Sequence, residues 1–293
     1  MKKRSISEAL FDIMNYMFLG VLCFSMLYPM IYVIFASLSD PIKIMAYRGP
    51  LLKPIDFSLK AYKLLLDYPM IWIGYRNTII YVVLGTTINM LLTTIGGYVL
   101  SRKNLKLKNP IMFFIVFTMY FSGGMIPTYV VIESLGLVDT IWAMILPGAV
   151  STMNLIIMRT GFQTVPESLE ESARIDGAND WVILFKIMIP LTMPTIAVMI
   201  LFYAVGHWNS FFNAILYLRK RELYPLQLVL REILIMSDTM YMQTGVSDAE
   251  DRLALTRLIK YAAIVVSTVP ILCLYPFLQK YFVKGVLIGA IKE

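Results

Sequence analysis

The sequence predicts an all-α membrane protein of six transmembrane helices, with one short helix held outside the bilayer. Three observations carry that prediction. Of 293 residues, 58% are hydrophobic and only 15% are charged, against about 25% charged in a typical soluble domain. Apolar stretches near the length of about 20 residues that a bilayer core requires recur along the chain. Between two of them lies a polar, acid-rich passage with helical spacing, Pro166 to Asp180.

The spans are expected at roughly 13–38, 77–100, 111–131, 140–161, 181–218 and 258–282, within a single transmembrane domain over 1–293. Lys2, Lys3 and Arg4 precede an apolar stretch too long for a signal-peptide core, with no small-residue cleavage site, so the first span is expected to be retained. Pro41, Gly49, Pro50, Pro54 and Pro69 mark 39–76 as an external loop, with a short helix at 59–66. The second span is rich in small residues, among them Gly85, Thr86, Gly96 and Gly97, which let helices approach closely in lipid. Gly123, Gly124 and Pro127 interrupt the third span, Pro147 and Gly148 break the fourth, and Pro190 and Pro194 lie early in the fifth. Cys23 and Cys273 fall in separate spans with no CxxC spacing and read as small apolar core residues, neither a disulfide nor a zinc site.

Charge sets the expected orientation. The segment 102–108 carries four bases and no acid, and 133–139 carries two acids and no base. The first is therefore placed in the cytoplasm and the second outside, with both termini cytoplasmic. This bias accounts for the net charge of +7 without any nucleic-acid partner.

The acidic passage then lies on the cytoplasmic side. Thr164 and Glu167 have the spacing of a capping box, and Glu167, Glu170 and Glu171 lie near the positive end of the helix dipole. Glu170 can reach Arg174 one turn on, Gly177 offers a left-handed terminus, and Asn179 or Asp180 can cap the next helix. A short exposed helix over 165–177 suits docking to a soluble partner; a solvated loop helix is the plainer alternative.

The run Glu171-Ser-Ala173, then Gly177, then Ile187-x-Ile-Pro190 resembles the EAA loop of ABC importer permeases. That family's pattern is Glu-Ala-Ala, three residues, Gly, nine residues, Ile-x-Leu-Pro; Ser172 and Ile189 are the two departures here. The fuller run Glu171 to Ala178, with 139–148 and 206–213, is similar to the carbohydrate-uptake, binding-protein-dependent branch. Within it, the chain looks most like permeases for large oligosaccharides, including uronate-containing ones such as alginate fragments.

The resemblance implies a type I importer transmembrane domain in a bacterial inner membrane, supplying half of a pore beside a homologous permease as a heterodimer. Two ATP-binding subunits would bind ATP and Mg on the cytoplasmic side, and an extracytoplasmic sugar-binding protein would deliver substrate. The chain itself would carry no cofactor and no ATPase site. The helix over 165–177 would be the coupling helix: Glu170, Glu171 and Asp176 its charged face, Ala173 a point of close approach, Gly177 its turn. The loop 219–257, with six bases and six acids, would meet the binding protein.

The residues agree with a chain that does no bond chemistry. No Gly-x-x-x-x-Gly-Lys-Ser/Thr is present to cradle phosphates, and the single histidine, His207, has no acidic or cysteine neighbour in its span. Tyr203, His207, Trp208, Asn209 and Asn213 make the fifth span the most polar, with Asn89 and Asn154 weaker members of the same set. Such groups either line a sugar path or form interhelical hydrogen bonds, and the sequence leaves both open. The first external loop holds six bases against three acids, a slight preference for an anionic sugar. The main rival, an ion-coupled secondary transporter, should show intramembrane acids or paired repeats, and neither is visible.

Overall fold

The computed structural model describes residues 6–243, 258–273 and 276. The helices in chain order are α1 Ile6–Ser37, α2 Pro41–Ala46, α3 Lys60–Leu66, α4 Pro69–Ser101, α5 Lys108–Tyr120, α6 Met125–Ser134, α7 Trp142–Ile145, α8 Thr152–Gln163 and α9 Glu167–Ile175. After them come α10 Asp180–Leu191, α11 Met193–Trp208, α12 Phe212–Tyr217, α13 Leu226–Gln243 and α14 Leu258–Cys273. Among the described residues there is no strand beyond a single bridge between Ser39 and Phe57. The sixth expected span continues past α14 into 274–282, which, with the tail and 244–257 of the long loop, lies outside the described residues apart from 276.

Among the described residues, two helices are long and apolar enough to cross a bilayer unbroken, Leu10–Ser37 within α1 and all of α4. Twenty-eight residues rise about 42 Å, more than the roughly 30 Å of a hydrocarbon core. Two bent pairs reach that length and hydropathy only when their helices are taken together: α5 and α6 meet at 113°, α10 and α11 at 86°. The first bend lies where Gly124 adopts φ +85 and ψ 177, a conformation essentially restricted to glycine. The second follows Pro190, which has no N–H for the carbonyl four residues back. The helix there widens to π register over Leu184–Met188 before it turns at Thr192. Thr192 is buried and donates both its hydroxyl and its amide to Met188 O, at 2.7 and 3.1 Å, so its own polar groups are satisfied at the bend.

α4 begins at Pro69, earlier than the expected boundary at Asn77. Arg76 marked the end of the loop in the sequence, but it lies exposed on the helix, and proline is well suited to a first helical turn.

The chain divides into two compact units, 1–69 with 230–269 and 70–229 with 270–293. In the first, Asp40 caps α2 through the amides of Ile42 and Lys43, and Tyr28, Tyr32 and Tyr261 form an aromatic row. α1 is exposed over most of its length, as befits a helix whose solvent is lipid. The same reason corrects the reading of Cys23 and Cys273, which are exposed and not core residues.

The second unit is organised around α4. Asn77 donates to Glu222 O and Tyr224 O at 2.7 and 3.0 Å, and Tyr81 donates to Leu223 O at 2.7 Å. Thr78 accepts from Leu226 N at 2.8 Å. Farther along, Tyr98 joins a buried cluster with Met158, Phe162, Ile183, Leu184 and Met199. Gly97 makes that contact possible, because a Cβ there would stand 2.9 Å from Met158 Cγ and 3.2 Å from Arg159 N.

Candidate functional site

α9 is fixed at its end and not at its start. Thr164 belongs to the terminus of α8, where its hydroxyl donates to Gly161 O at 2.8 Å. Pro166 occupies the N-cap with no side-chain hydrogen bond. The expected capping box is therefore absent, and Glu167 pairs with Lys103 instead. At the other end, Ala178 N donates to Ala173 O at 2.9 Å and Gly177 N to Arg174 O at 3.0 Å, with Gly177 at φ +83. This is a Schellman terminus, and left-handed backbone there is what glycine supplies. Asn179 then caps α10 by accepting from Val182 N at 2.9 Å.

The helix divides its residues between two directions. Inward, Ala173 and Ala178 lie against the cluster around Tyr98 and Phe162. Glu170 also turns inward; its side chain is 14% exposed and pairs with both Arg102 and Arg174, the latter at 3.0 Å. Arg102 lies 4.5 Å from the centre of the Tyr98 ring and donates to Ser101 Oγ at 2.9 Å. Arg174 reaches Asp180, to which Tyr98 donates at 3.4 Å. Outward, Glu171, Asp176 and Gly177 are exposed, and Ile175, at 86%, is the most exposed large hydrophobic side chain among the described residues. A cavity of about 830 Å³ opens between α4 and α9, lined by Tyr98, Arg102, Phe162, Glu170, Arg174 and Trp181. Glu167 beside Lys103 holds the ammonium pKa above its ordinary value.

Of the five residues expected to drive docking, Glu171, Asp176 and Gly177 share the open surface, Ala173 forms its floor, and Glu170 is held from behind. The sequence reading missed Arg102, Lys103, Tyr98 and Asp180 as partners of this helix. The base-rich run 102–108 was a usable signal, because its charge is opposite to that of α9.

The polar residues of the fifth span serve a different part of the fold. His207 Nε2 stands 2.7 Å from Asn89 Oδ1. Asn89 Nδ2 donates to Gly148 O and Ala149 O, both at 2.8 Å, so Oδ1 is the acceptor and His207 Nε2 carries the proton. Tyr203 OH is 2.7 Å from Thr93 Oγ1 and accepts from Ser151 N at 3.1 Å. Both groups thus satisfy the backbone in the break between α7 and α8, where no α-helix supplies the partners. Asn154, also buried, starts α8 with its amide on Ser151 Oγ at 3.4 Å. Trp208 is buried, with its ring 6.3 Å from that of Tyr75. Asn209 and Asn213 do not share a helical turn: α11 ends at Trp208 and α12 starts at Phe212, leaving Asn209 exposed and Asn213 half-buried.

Comparison with known proteins adds a family to this geometry. The family described as "Binding-protein-dependent transport system inner membrane component" matches residues 92–288. The polygalacturonan/rhamnogalacturonan transport system permease protein YtcP of Bacillus subtilis (strain 168) is 44% identical over 292 residues, covering 98% of this chain and 100% of its own. Protein LplC of the same organism is 42% identical over 282 residues, covering 96% and 95%. Among solved structures, a chain from a bacterial ABC transporter involved in the import of the acidic polysaccharide alginate superposes with a TM-score of 0.86 at 34% identity, covering 96% of this chain and 100% of that one. The chain, all-α and with helices able to span a membrane, belongs to the family of binding-protein-dependent transport system inner membrane components.

Proposed function

We propose that this chain is the permease subunit of an ATP-driven importer for an acidic, uronate-containing oligosaccharide. The substrate class rests on the relatives named for polygalacturonan/rhamnogalacturonan transport and alginate import, all three of which are polymers that contain uronate residues. The base excess in 39–76 agrees with it. In this reading the chain pairs with a homologous permease, meets an extracytoplasmic sugar-binding protein, and leaves ATP and Mg to two separate ATP-binding subunits. Tyr203, His207, Trp208, Asn209 and Asn213 border the sugar path, with Asn209 and Asn213 the members free to turn towards it. Both termini and the run 102–108 face the cytoplasm, following the positive-inside bias.

The observation that carries the reading is the outward face of α9. Glu171, Ile175 and Asp176 stand exposed on a helix fixed by a Schellman terminus and seated through Ala173. A rigid helix with an exposed isoleucine among carboxylates suits a groove with an apolar floor and a basic rim. Glu171 is assigned to pair with a base there.

Co-purification from native membranes tests this. Wild type should bring down ATP-binding subunits and a second permease, whereas Glu171→Lys and Gly177→Val should lose or loosen the ATP-binding subunits. A monodisperse chain that brings down no ATP-binding subunit in gentle detergent would contradict the reading. For the substrate class, trigalacturonate supplied with its binding protein should raise ATP hydrolysis in vesicles more than maltotriose does; equal responses would remove the acidic-sugar assignment.

A further inference from the structure

α9 is joined through the backbone to α8 and α10, but not to α4. A force applied to α9 therefore reaches α8 and α10 along the chain, and reaches α4 only through side chains. No residue of α9 is fully buried, so apolar packing holds it weakly. Two side-chain pairs link α9 itself to the end of α4 and the turn after it, Arg102 with Glu170 and Lys103 with Glu167, whereas Tyr98 donates to Asp180 of α10. The two pairs are not equivalent. Lys103 is 75% exposed and Glu167 48% exposed, so their pair is screened and weak, whereas Arg102 and Glu170 are 20% and 14% exposed. Arg102 is further fixed by the Tyr98 face and by Ser101, and Glu170 by Arg174. The cavity of about 830 Å³ beside this pair leaves little else between the two helices there.

α4 is also the helix whose movement would matter. Midway along it, Asn89 and Thr93 hold His207, Tyr203 and the backbone at the broken fourth span.

We propose that Arg102 is a positioning residue which, through Glu170, makes α4 move with α9, so that a displacement imposed on α9 is delivered to the middle of the membrane. This rests on the importer reading, in which ATP-binding subunits supply that displacement.

The test uses the whole transporter, with its partner permease and ATP-binding subunits, reconstituted in lipid vesicles. Thr87→Cys, on the exposed side of α4, is labelled with a maleimide in a Cys23→Ala, Cys273→Ala background, without nucleotide and after trapping with Mg-ATP and vanadate. With Arg102 intact, trapping should change the labelling rate about fivefold. Arg102→Gln should reduce that change to less than about twofold while the ATP-binding subunits stay bound and still trap nucleotide. Arg102→Lys should restore most of it, and Lys103→Gln should leave it intact. Should the Arg102→Gln chain itself fail to fold into the membrane, Arg102→Met with Glu170→Met removes both charges at similar volume and is read in the same way. An unchanged response in Arg102→Gln would overturn the proposal. So would loss of the ATP-binding subunits from that variant, because the pair would then shape the docking surface and transmit nothing. Absence of a response with Arg102 intact would overturn it too. If no ATP-binding subunit joins even the wild-type chain, the importer reading itself fails.

Discussion

Asn89 and His207 are joined by a 2.7 Å hydrogen bond between α4 and α11, and the same asparagine donates to two carbonyls of the broken fourth span. One buried amide thus closes three elements at the level where the backbone is least regular. Asn89→Leu removes all three bonds and leaves two carbonyls and an imidazole N–H unpaired. It should cost about 2 kcal/mol, given the modest worth of each bond in membranes. Thermal denaturation in detergent measures it, and His207→Gln, which keeps a donor, should lose less than half as much.

Gly85 gives a sharper test of the same contact. A Cβ at Gly85 would stand 2.4 Å from His207 Nε2, inside any tolerable approach, while one at Gly206 would meet nothing within 4 Å. Gly85→Ala should therefore destabilise by roughly 1–3 kcal/mol. Gly206→Ala should be neutral or slightly stabilising, since alanine is the better helix former. Equal melting temperatures for the two variants would mean that His207 can move aside freely.

The polar residues that flank α9, Thr164 before it and Asn179 after it, should differ in what their loss costs. Thr164→Ala should leave α9 intact, because that hydroxyl serves α8 and the N-cap is Pro166. Asn179→Ala removes the bond to Val182 N and should cost about 1 kcal/mol. Hydrogen exchange in the first turn of α10 and in α9 would separate the two effects.

Much of this was legible beforehand, and the failures have physical causes. Gly177, Arg174 with Glu170, and Asn179 are short-range features, fixed by residues within one turn, and sequence spacing finds them. The capping box failed because Pro166 takes the N-cap position, which the Thr164–Glu167 spacing alone does not weigh. Arg76 misplaced the start of α4 because a single exposed charge at a helix end resembles a loop residue. Arg102 was read only as part of a topogenic cluster; its partner Glu170 lies far along the chain, where periodicity carries no information. The second span's glycines did announce close approach, but not that the neighbour at Gly85 is His207.

Acid should loosen the turn between α6 and α7 only well below neutrality. Asp139 accepts from the amides of Arg219 and Lys220, the latter at 3.0 Å, and these bonds hold its pKa below the ordinary carboxylate value. Its contribution is present in full above the unfolded pKa of about 3.9 and fades as pH falls through the lower folded value. Protection of the Arg219 and Lys220 amides, corrected for intrinsic exchange, should thus be flat from about pH 5 to 8. Asp139→Ala should abolish that protection at every pH.

In the proposed importer the outward face of α9 receives an ATP-binding subunit, and Ile175 is the place to test it. A photo-crosslinking amino acid at position 175, 86% exposed in the isolated chain, should capture an ATP-binding subunit in native membranes. The same probe at Met158, buried beneath α9, should capture none. Capture of lipid or nothing at position 175, in membranes where the subunits are present, would contradict the account.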